Sequence, residues 1–274
     1  MIEPVVSSQW LNDNLNSSGL IILDASSLNN KAGLTLKFEN HKIKGAQFFD
    51  LKNTFSDPNG LFPNTLPSEE QFETGCRSLG INKSSRIVVY DNLGIYTSPR
   101  VYWMFKTMGH EKIHVLNGGL PSWINDGYET VEHFDSKIKQ GDFEAKLQSE
   151  LVKSITFVKS NISEQNHLLI DARSEVRFNG TVKEPREGLR SGHIRNSINI
   201  PFSRFLENGR YKNADKLREI FEDTGVDDRP IIFSCGSGVT ACIVLLACEM
   251  VLNNSTSVYD GSWTEWASLT KDGI

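Results

Sequence analysis

Leu168-Leu169-Ile170-Asp171-Ala172-Arg173-Ser174 repeats an earlier stretch, Leu20-Ile21-Ile22-Leu23-Asp24-Ala25-Ser26: a continuous apolar run that ends in Asp-Ala and then turns polar. Such a run, without the alternation of a half-exposed strand, reads as a short β-strand covered on both faces. Three further echoes follow in the same order. Ile43-Lys44-Gly45-Ala46-Gln47-Phe48-Phe49 answers Ile194-Arg195-Asn196-Ser197-Ile198-Asn199-Ile200, and Arg86-Ile87-Val88-Val89-Tyr90-Asp91 answers Pro230-Ile231-Ile232-Phe233-Ser234-Cys235. Asn117-Gly118-Gly119 likewise answers Asp260-Gly261-Ser262. The paired positions lie 143 to 151 residues apart, a drift that a few loop insertions explain. The chain reads as a duplication.

A length of 274 residues fits that reading, since a domain takes roughly 150 residues. The boundary is expected near Glu150, giving domains over 1–150 and 151–274. The charged stretch from Glu129 to Lys153 is expected to cross solvent as a linker. Within each half, short apolar runs alternate with helical patterns. Ser68-Glu69-Glu70-Gln71 is a capping box opening a helix that closes at Gly80. The fold class predicted is α/β, each half a parallel sheet with helices on both faces, and ligands collect beyond the carboxyl ends of such strands.

Composition narrows the partners. Lys+Arg 29 against Asp+Glu 34 gives a net charge of -5, so no basic field exists to hold a nucleic acid or an anionic membrane. The apolar stretch from Val239 to Leu252 carries Glu249 and is too short to span a bilayer, but suits a buried helix. The cysteines at 76, 235, 242 and 248 form no C-x-x-C pair and lack the density of a disulfide scaffold, which points to a reducing compartment. With neither a signal peptide nor a transit peptide legible at the amino terminus, a cytoplasmic location is expected.

The chemistry concentrates at Cys235-Gly236-Ser237-Gly238, which joins the strand-like Pro230-Ile231-Ile232-Phe233-Ser234 to an apolar helix. Glycines let successive amide N–H groups turn inward around a sulfur, and a helix amino terminus adds further N–H groups and a positive dipole end. Both favour thiolate over thiol. Cys76, Cys242 and Cys248 fall within helical patterns and read as packing residues. The first half has Asp91 at the position of Cys235, so it is expected to supply structure while the second half reacts. Arg173, Arg177, Arg186, Arg190 and Arg195 cluster in one segment, where the stretches Arg177-Phe178-Asn179-Gly180 and Glu184-Pro185-Arg186 read as a long loop able to clamp a carboxylate.

Cys235-Gly236-Ser237-Gly238-Val239-Thr240, with Arg177-Phe178, Glu184-Pro185-Arg186 and Gly192-His193-Ile194, resembles the carboxyl-terminal half of the tandem-domain rhodanese family of sulfurtransferases, and the likeness covers essentially the whole chain. The resemblance implies two rhodanese-like domains, only the second catalytic, with Cys235 carrying sulfur as a persulfide. It implies that Arg177 and Arg186 bind the donor's carboxylate, that the Gly236, Ser237, Gly238, Val239 and Thr240 amides surround the sulfur, and that the Ser237 hydroxyl joins a proton relay. The donor it implies is 3-mercaptopyruvate, with release of pyruvate and a thiol or cyanide as acceptor; thioredoxin and glutathione are the thiols considered. No cofactor or metal is implied. Thiosulfate is the alternative donor, but rhodaneses specialised for it carry basic residues just after the cysteine, where Gly236 and Ser237 bring no charge. For the relay, the stretch His41-Lys42-Ile43-Lys44-Gly45-Ala46 puts Lys42 in the register of a histidine, so His41 serves only if the loop shifts by one residue. Arg195-Asn196 stands where the second-half motif has Pro-Gly.

Three rival readings are weaker. His110-Glu111-Lys112-Ile113-His114 matches the zinc-protease pattern H-E-x-x-H, but that pattern needs a helix and Gly109 ends one just before it. A cysteine phosphatase needs an arginine closing its loop, where this chain has Thr240 and Ala241. A silent sulfur-carrier module has no use for a pair of arginines facing a carboxylate.

Overall fold

The computed structural model describes residues 3–27, 30, 33–35, 38–134 and 138–271. The chain forms two compact units, one of Met1–Pro58, Leu66–Gln148 and Asn208–Tyr211, the other of Asn59–Thr65, Ser149–Glu207 and Lys212–Ile274.

In the first unit the strands Val5–Val6 (β1), Leu20–Asp24 (β2), Ala46–Phe48 (β3), Arg86–Tyr90 (β4) and Ile113–Leu116 (β5) form one parallel sheet in the order β1-β5-β4-β2-β3. Its helices are Ser8–Asn14 (α1), Glu69–Ser78 (α2), Ser98–Thr107 (α3) and Gly119–Asn125 (α4). In the second unit Val152–Lys153 (β6), Leu168–Asp171 (β7), Ser197–Asn199 (β8), Ile231–Ser234 (β9) and Thr256–Tyr259 (β10) are also all parallel, ordered β8-β7-β9-β10-β6. Its longer helices are Ile155–Glu164 (α5), Ala214–Asp223 (α6), Ala241–Val251 (α7) and Ser262–Leu269 (α8). Read from the first strand of each half, the two orders are the same. The echoes in sequence are therefore echoes in topology.

Side chains of successive strand residues point to opposite faces, so a run of buried residues means both faces are covered. Every residue of β5, β7 and β9 is buried. The serine half of the capping box forms as expected, the Ser68 hydroxyl accepting the Gln71 N–H at 3.2 Å, while the Gln71 side chain donates to the Thr54 and Ser56 carbonyls, and Gly80 leaves the helix with φ 71°. In the second unit Trp263 is wholly buried under the guanidinium groups of Arg173 and Arg190, 4.7 and 4.9 Å from its ring centre.

One expectation is revised and one holds. The linker does not cross solvent where it is described: the Gly141, Phe143, Lys146 and Gln148 N–H groups donate to backbone carbonyls of Arg77, Ile81, Met108 and Thr107, and Phe143 is buried against Phe72 and Phe105. These carbonyls lie at or just past the ends of α2 and α3, where backbone acceptors lack helical partners. Residues 135–137 of that stretch lie outside the described residues. The H-E-x-x-H stretch is a turn leading into β5, with His114 Nδ1 bonded to the Glu3 carbonyl at 2.6 Å, so its two imidazoles share no helical face.

At the end of the central strand β4, the carboxylate of Asp91 is wholly buried. Its Oδ2 accepts the Tyr96, Thr97 and Ser98 N–H groups at 2.9, 3.0 and 2.9 Å and the Ser98 hydroxyl at 2.6 Å, while Oδ1 accepts the Leu93 N–H at 3.0 Å. The loop before α3 is an anion cradle filled by its own chain. Asp91→Ala leaves four buried donors and the half-buried Leu93 N–H without an acceptor and is expected to cost about 3 to 5 kcal/mol, since each orphaned buried donor costs roughly 1 to 3 kcal/mol and part of that is recovered by relaxation. A urea titration followed by circular dichroism checks it, and an unchanged midpoint overturns the account.

Candidate active site

Cys235 follows β9, the central strand of the second unit, at the position Asp91 holds in the first. It is 2% exposed. The amino terminus of α8 fixes the loop that follows. The Trp263 N–H donates to the Cys235 carbonyl at 3.0 Å, and both the Thr264 N–H (3.0 Å) and the Thr264 hydroxyl (2.5 Å) donate to the Gly236 carbonyl. In a trans peptide the carbonyl and the next N–H point in opposite directions. Anchoring these two carbonyls on α8 therefore turns the Gly236 and Ser237 N–H groups away from it. Among the described residues, the Gly236, Ser237, Val239 and Thr240 N–H groups donate to no protein acceptor. The loop that follows the buried Cys235 therefore carries four backbone donors with no acceptor of their own, which is what an anion-binding loop requires.

Gly238 differs from expectation. Its N–H donates to the Ser262 hydroxyl at 3.1 Å, so it is already engaged by another acceptor. What Gly238 supplies is backbone shape: φ is 75°, which a side chain disfavours. Gly236 is a glycine for a different reason. A Cβ there would lie 3.0 Å from Arg177 Nη2 and 3.8 Å from Arg186 Nη1. Both guanidinium groups thus converge on the residue next to the cysteine.

Their surroundings separate the five arginines. Arg177 sits on a one-turn helix, Glu175–Phe178, rather than in a loop, and donates from Nε and Nη2 to Glu184 at 3.2 and 2.5 Å. Glu184, with its side chain 1% exposed, also receives Arg173 Nη1 at 2.9 Å. Arg173 in turn grips both oxygens of Asp171, which lie 2.6 to 3.1 Å from its nitrogens. Burial works against the charge on Arg173, but Asp171 and Glu184 outweigh it and hold its pKa above the ordinary value. The result is a neutral buried quartet, Asp171-Arg173-Glu184-Arg177. Arg186 donates to the Thr264 hydroxyl at 3.2 Å and to the Ser237 hydroxyl at 3.0 Å. Arg190 stacks on Trp263, and Arg195 is exposed.

The Ser237 hydroxyl oxygen has a second donor, Asn64 Nδ2, at 2.9 Å; the same amide reaches the Ser237 carbonyl at 3.2 Å. Asn64 belongs to the 59–65 segment of this unit and holds φ 63°, an uncommon backbone for a residue other than glycine. With both lone pairs of Ser237 occupied, its own proton is left to donate outward. His41, the candidate for the relay, is exposed, and its Nδ1 bonds the Thr130 hydroxyl at 2.8 Å. His193 stacks on Phe178 and bonds its carbonyl, a packing role. Glu184 was visible to sequence reasoning only as part of a motif, and Asn64 carried no signal, because its partner is 173 positions away.

The remaining thiols are inert by environment. Burial pushes Cys76 well above the usual thiol range and Cys248 to about 12. Cys242 lies buried in α7 with its Sγ 3.2 Å from the Gly238 carbonyl.

Known proteins resemble this chain in sequence and fold. Residues 7–126 and 154–269 each match the rhodanese-like domain family. The chain is 40% identical over 290 residues to the Arabidopsis thaliana protein named thiosulfate/3-mercaptopyruvate sulfurtransferase 1, mitochondrial, covering 97% of this chain and 76% of that one. It is 38% identical over 267 residues to the 3-mercaptopyruvate sulfurtransferase of Escherichia coli K12, covering 96% and 94% of the two chains. The crystal structure of the 3-mercaptopyruvate sulfurtransferase SseA from Escherichia coli superposes with a TM-score of 0.83 at 36% identity, over 95% of this chain and 98% of that one. Two matched domains, full-length relatives and a shared fold carry one conclusion: the chain belongs to the rhodanese family.

Proposed function

We propose that this protein is a sulfurtransferase in which Cys235 takes sulfur from 3-mercaptopyruvate and passes it to a thiol. The observation that carries the reading is the convergence of Arg177 and Arg186 on Gly236, beside a loop with four unengaged N–H groups. The arginines receive the donor's carboxylate and bring its thiol sulfur over Cys235. The Cys235 thiolate attacks that sulfur, the carbon–sulfur bond breaks, and the electron pair passes to C3 as the enolate of pyruvate. Protonation at C3 then releases pyruvate. The Gly236, Ser237, Val239 and Thr240 N–H groups stabilise the sulfur anion before and after transfer, and the outward Ser237 proton serves the donor or the departing enolate. A thiol of the thioredoxin or glutathione type attacks the outer sulfur, restoring the Cys235 thiolate. Four free cysteines support a reducing compartment such as the cytoplasm, and no helix among the described residues is long and apolar enough to cross a membrane.

The relatives' names include both thiosulfate and 3-mercaptopyruvate, so likeness does not choose between donors. Electrostatics favours the second. Glu184 is ion-paired with Arg177, so the guanidinium groups beside Gly236 bring less net charge than two unpaired arginines would, which suits the single carboxylate of 3-mercaptopyruvate better than the two charges of thiosulfate.

Three measurements test the reading. Intact mass after incubation with 3-mercaptopyruvate should gain one sulfur on the wild type and none on Cys235→Ser; equal labelling of the variant removes the nucleophile from the scheme. Gly236→Ala presses a methyl against Arg177 and should raise KM for 3-mercaptopyruvate about tenfold with kcat less affected, as steady-state kinetics would show. Glu184→Gln uncovers a cation, so kcat/KM for both donors should fall while the ratio moves about tenfold toward thiosulfate. An unchanged ratio refutes the charge-matching account.

A further inference from the structure

The two halves contain an internal comparison at the residue that opens the last helix of each. Ser262 and Gly119 stand at matched positions with nearly the same backbone, φ 50° and 52°. In the first unit no side chain fits: a Cβ on Gly119 would lie 2.3 Å from the Asp91 carbonyl and 2.5 Å from that of Gly94. There the loop after Asp91 closes onto the helix start. In the second unit the same volume holds a serine side chain, wholly buried, on a backbone that favours glycine.

The hydroxyl of Ser262 makes three bonds. It accepts the Cys235 N–H at 3.2 Å and the Gly238 N–H at 3.1 Å, and donates to the Tyr259 carbonyl at 2.8 Å. It therefore ties the first and fourth residues of the cysteine loop to a carbonyl at the end of β10. Engaging the Cys235 and Gly238 donors at the back of the loop leaves those of Gly236, Ser237, Val239 and Thr240 for the front.

We infer that Ser262 is a positioning residue that props the cysteine loop open and fixes the direction of its N–H groups, acting through Cys235 and Gly238 rather than touching the donor. The inference rests on the sulfurtransferase reading for its consequence, but its effect on the thiol is independent of any donor. The strain of a left-handed serine is retained because a glycine, which would be relaxed there, lacks the hydroxyl.

Ser262→Gly and Ser262→Ala separate positioning from stability. Alanine keeps the strained backbone and glycine relieves it, so the alanine variant should melt lower; glycine keeps the test open if alanine does not fold. At a temperature where circular dichroism shows the variants folded, both should alkylate Cys235 with iodoacetamide about tenfold or more slowly at neutral pH, with the pH profile displaced upward. Persulfide formation from 3-mercaptopyruvate should fall by a similar factor in both, despite their different melting points. A wild-type alkylation profile in the folded variants, or losses that follow the folded fraction, overturns the inference. If the wild type takes up no sulfur, the sulfurtransferase reading fails instead, and the alkylation profiles still decide the role of Ser262.

Discussion

The site depends on the direction of two peptide planes. Because the first N–H groups of α8 hold the Cys235 and Gly236 carbonyls, the N–H groups on the far sides of those planes cannot also turn toward α8. No side chain of the loop carries a positive charge, so in the proposed reading the backbone dipoles, in place before any donor arrives, supply the field at the sulfur. The cost is a loop with donors left without acceptors. It is borne by the sheet on one side, where β9 is fully buried, and by α8 on the other.

The first unit shows what the same architecture does when the anion is part of the chain. Asp91 supplies a permanent carboxylate at the end of the central strand, and the Tyr96, Thr97 and Ser98 N–H groups converge on it. A filled cradle has nothing left to offer a ligand, so the repeat turns an anion-binding loop into a structural tie. Replacing Cys by Asp at that position both removes a nucleophile and satisfies the donors that would otherwise serve one.

Most of the fold was legible in the sequence because it is written in contiguous runs. The apolar strands Leu20–Asp24, Leu168–Asp171 and Ile231–Ser234 announce themselves, as does the capped helix opened by Ser68. Of the site, Cys235 and its glycines were legible because a strand, a turn and a helix occur in unbroken succession. Arg177 and Arg186 emerged from a cluster of five, and only their resemblance to a known family singled them out. What was not legible is what distance in the chain conceals. Asn64 meets Ser237 across 173 positions, and Ser262 meets Cys235 across 27. The linker around Phe143 was misread because a strap held by backbone hydrogen bonds and one buried ring has no periodicity to display.

The arginine pair shows why charge alone is a poor guide to a binding site. Arg173 and Arg177 are cations in the sequence, yet each spends its charge on a buried carboxylate, and Arg173 is wholly enclosed. A buried guanidinium without its partner is expensive, so Asp171 and Glu184 are requirements of keeping Arg173 in the core. The same pairing fixes the plane of Arg177 and holds its outer nitrogen beside Gly236. Glu184 thus sets both the position of one donor group and the net charge that a substrate meets. A clamp made this way is rigid, and in the proposed reading it selects a donor both by where its carboxylate sits relative to the reacting sulfur and by how much charge it carries.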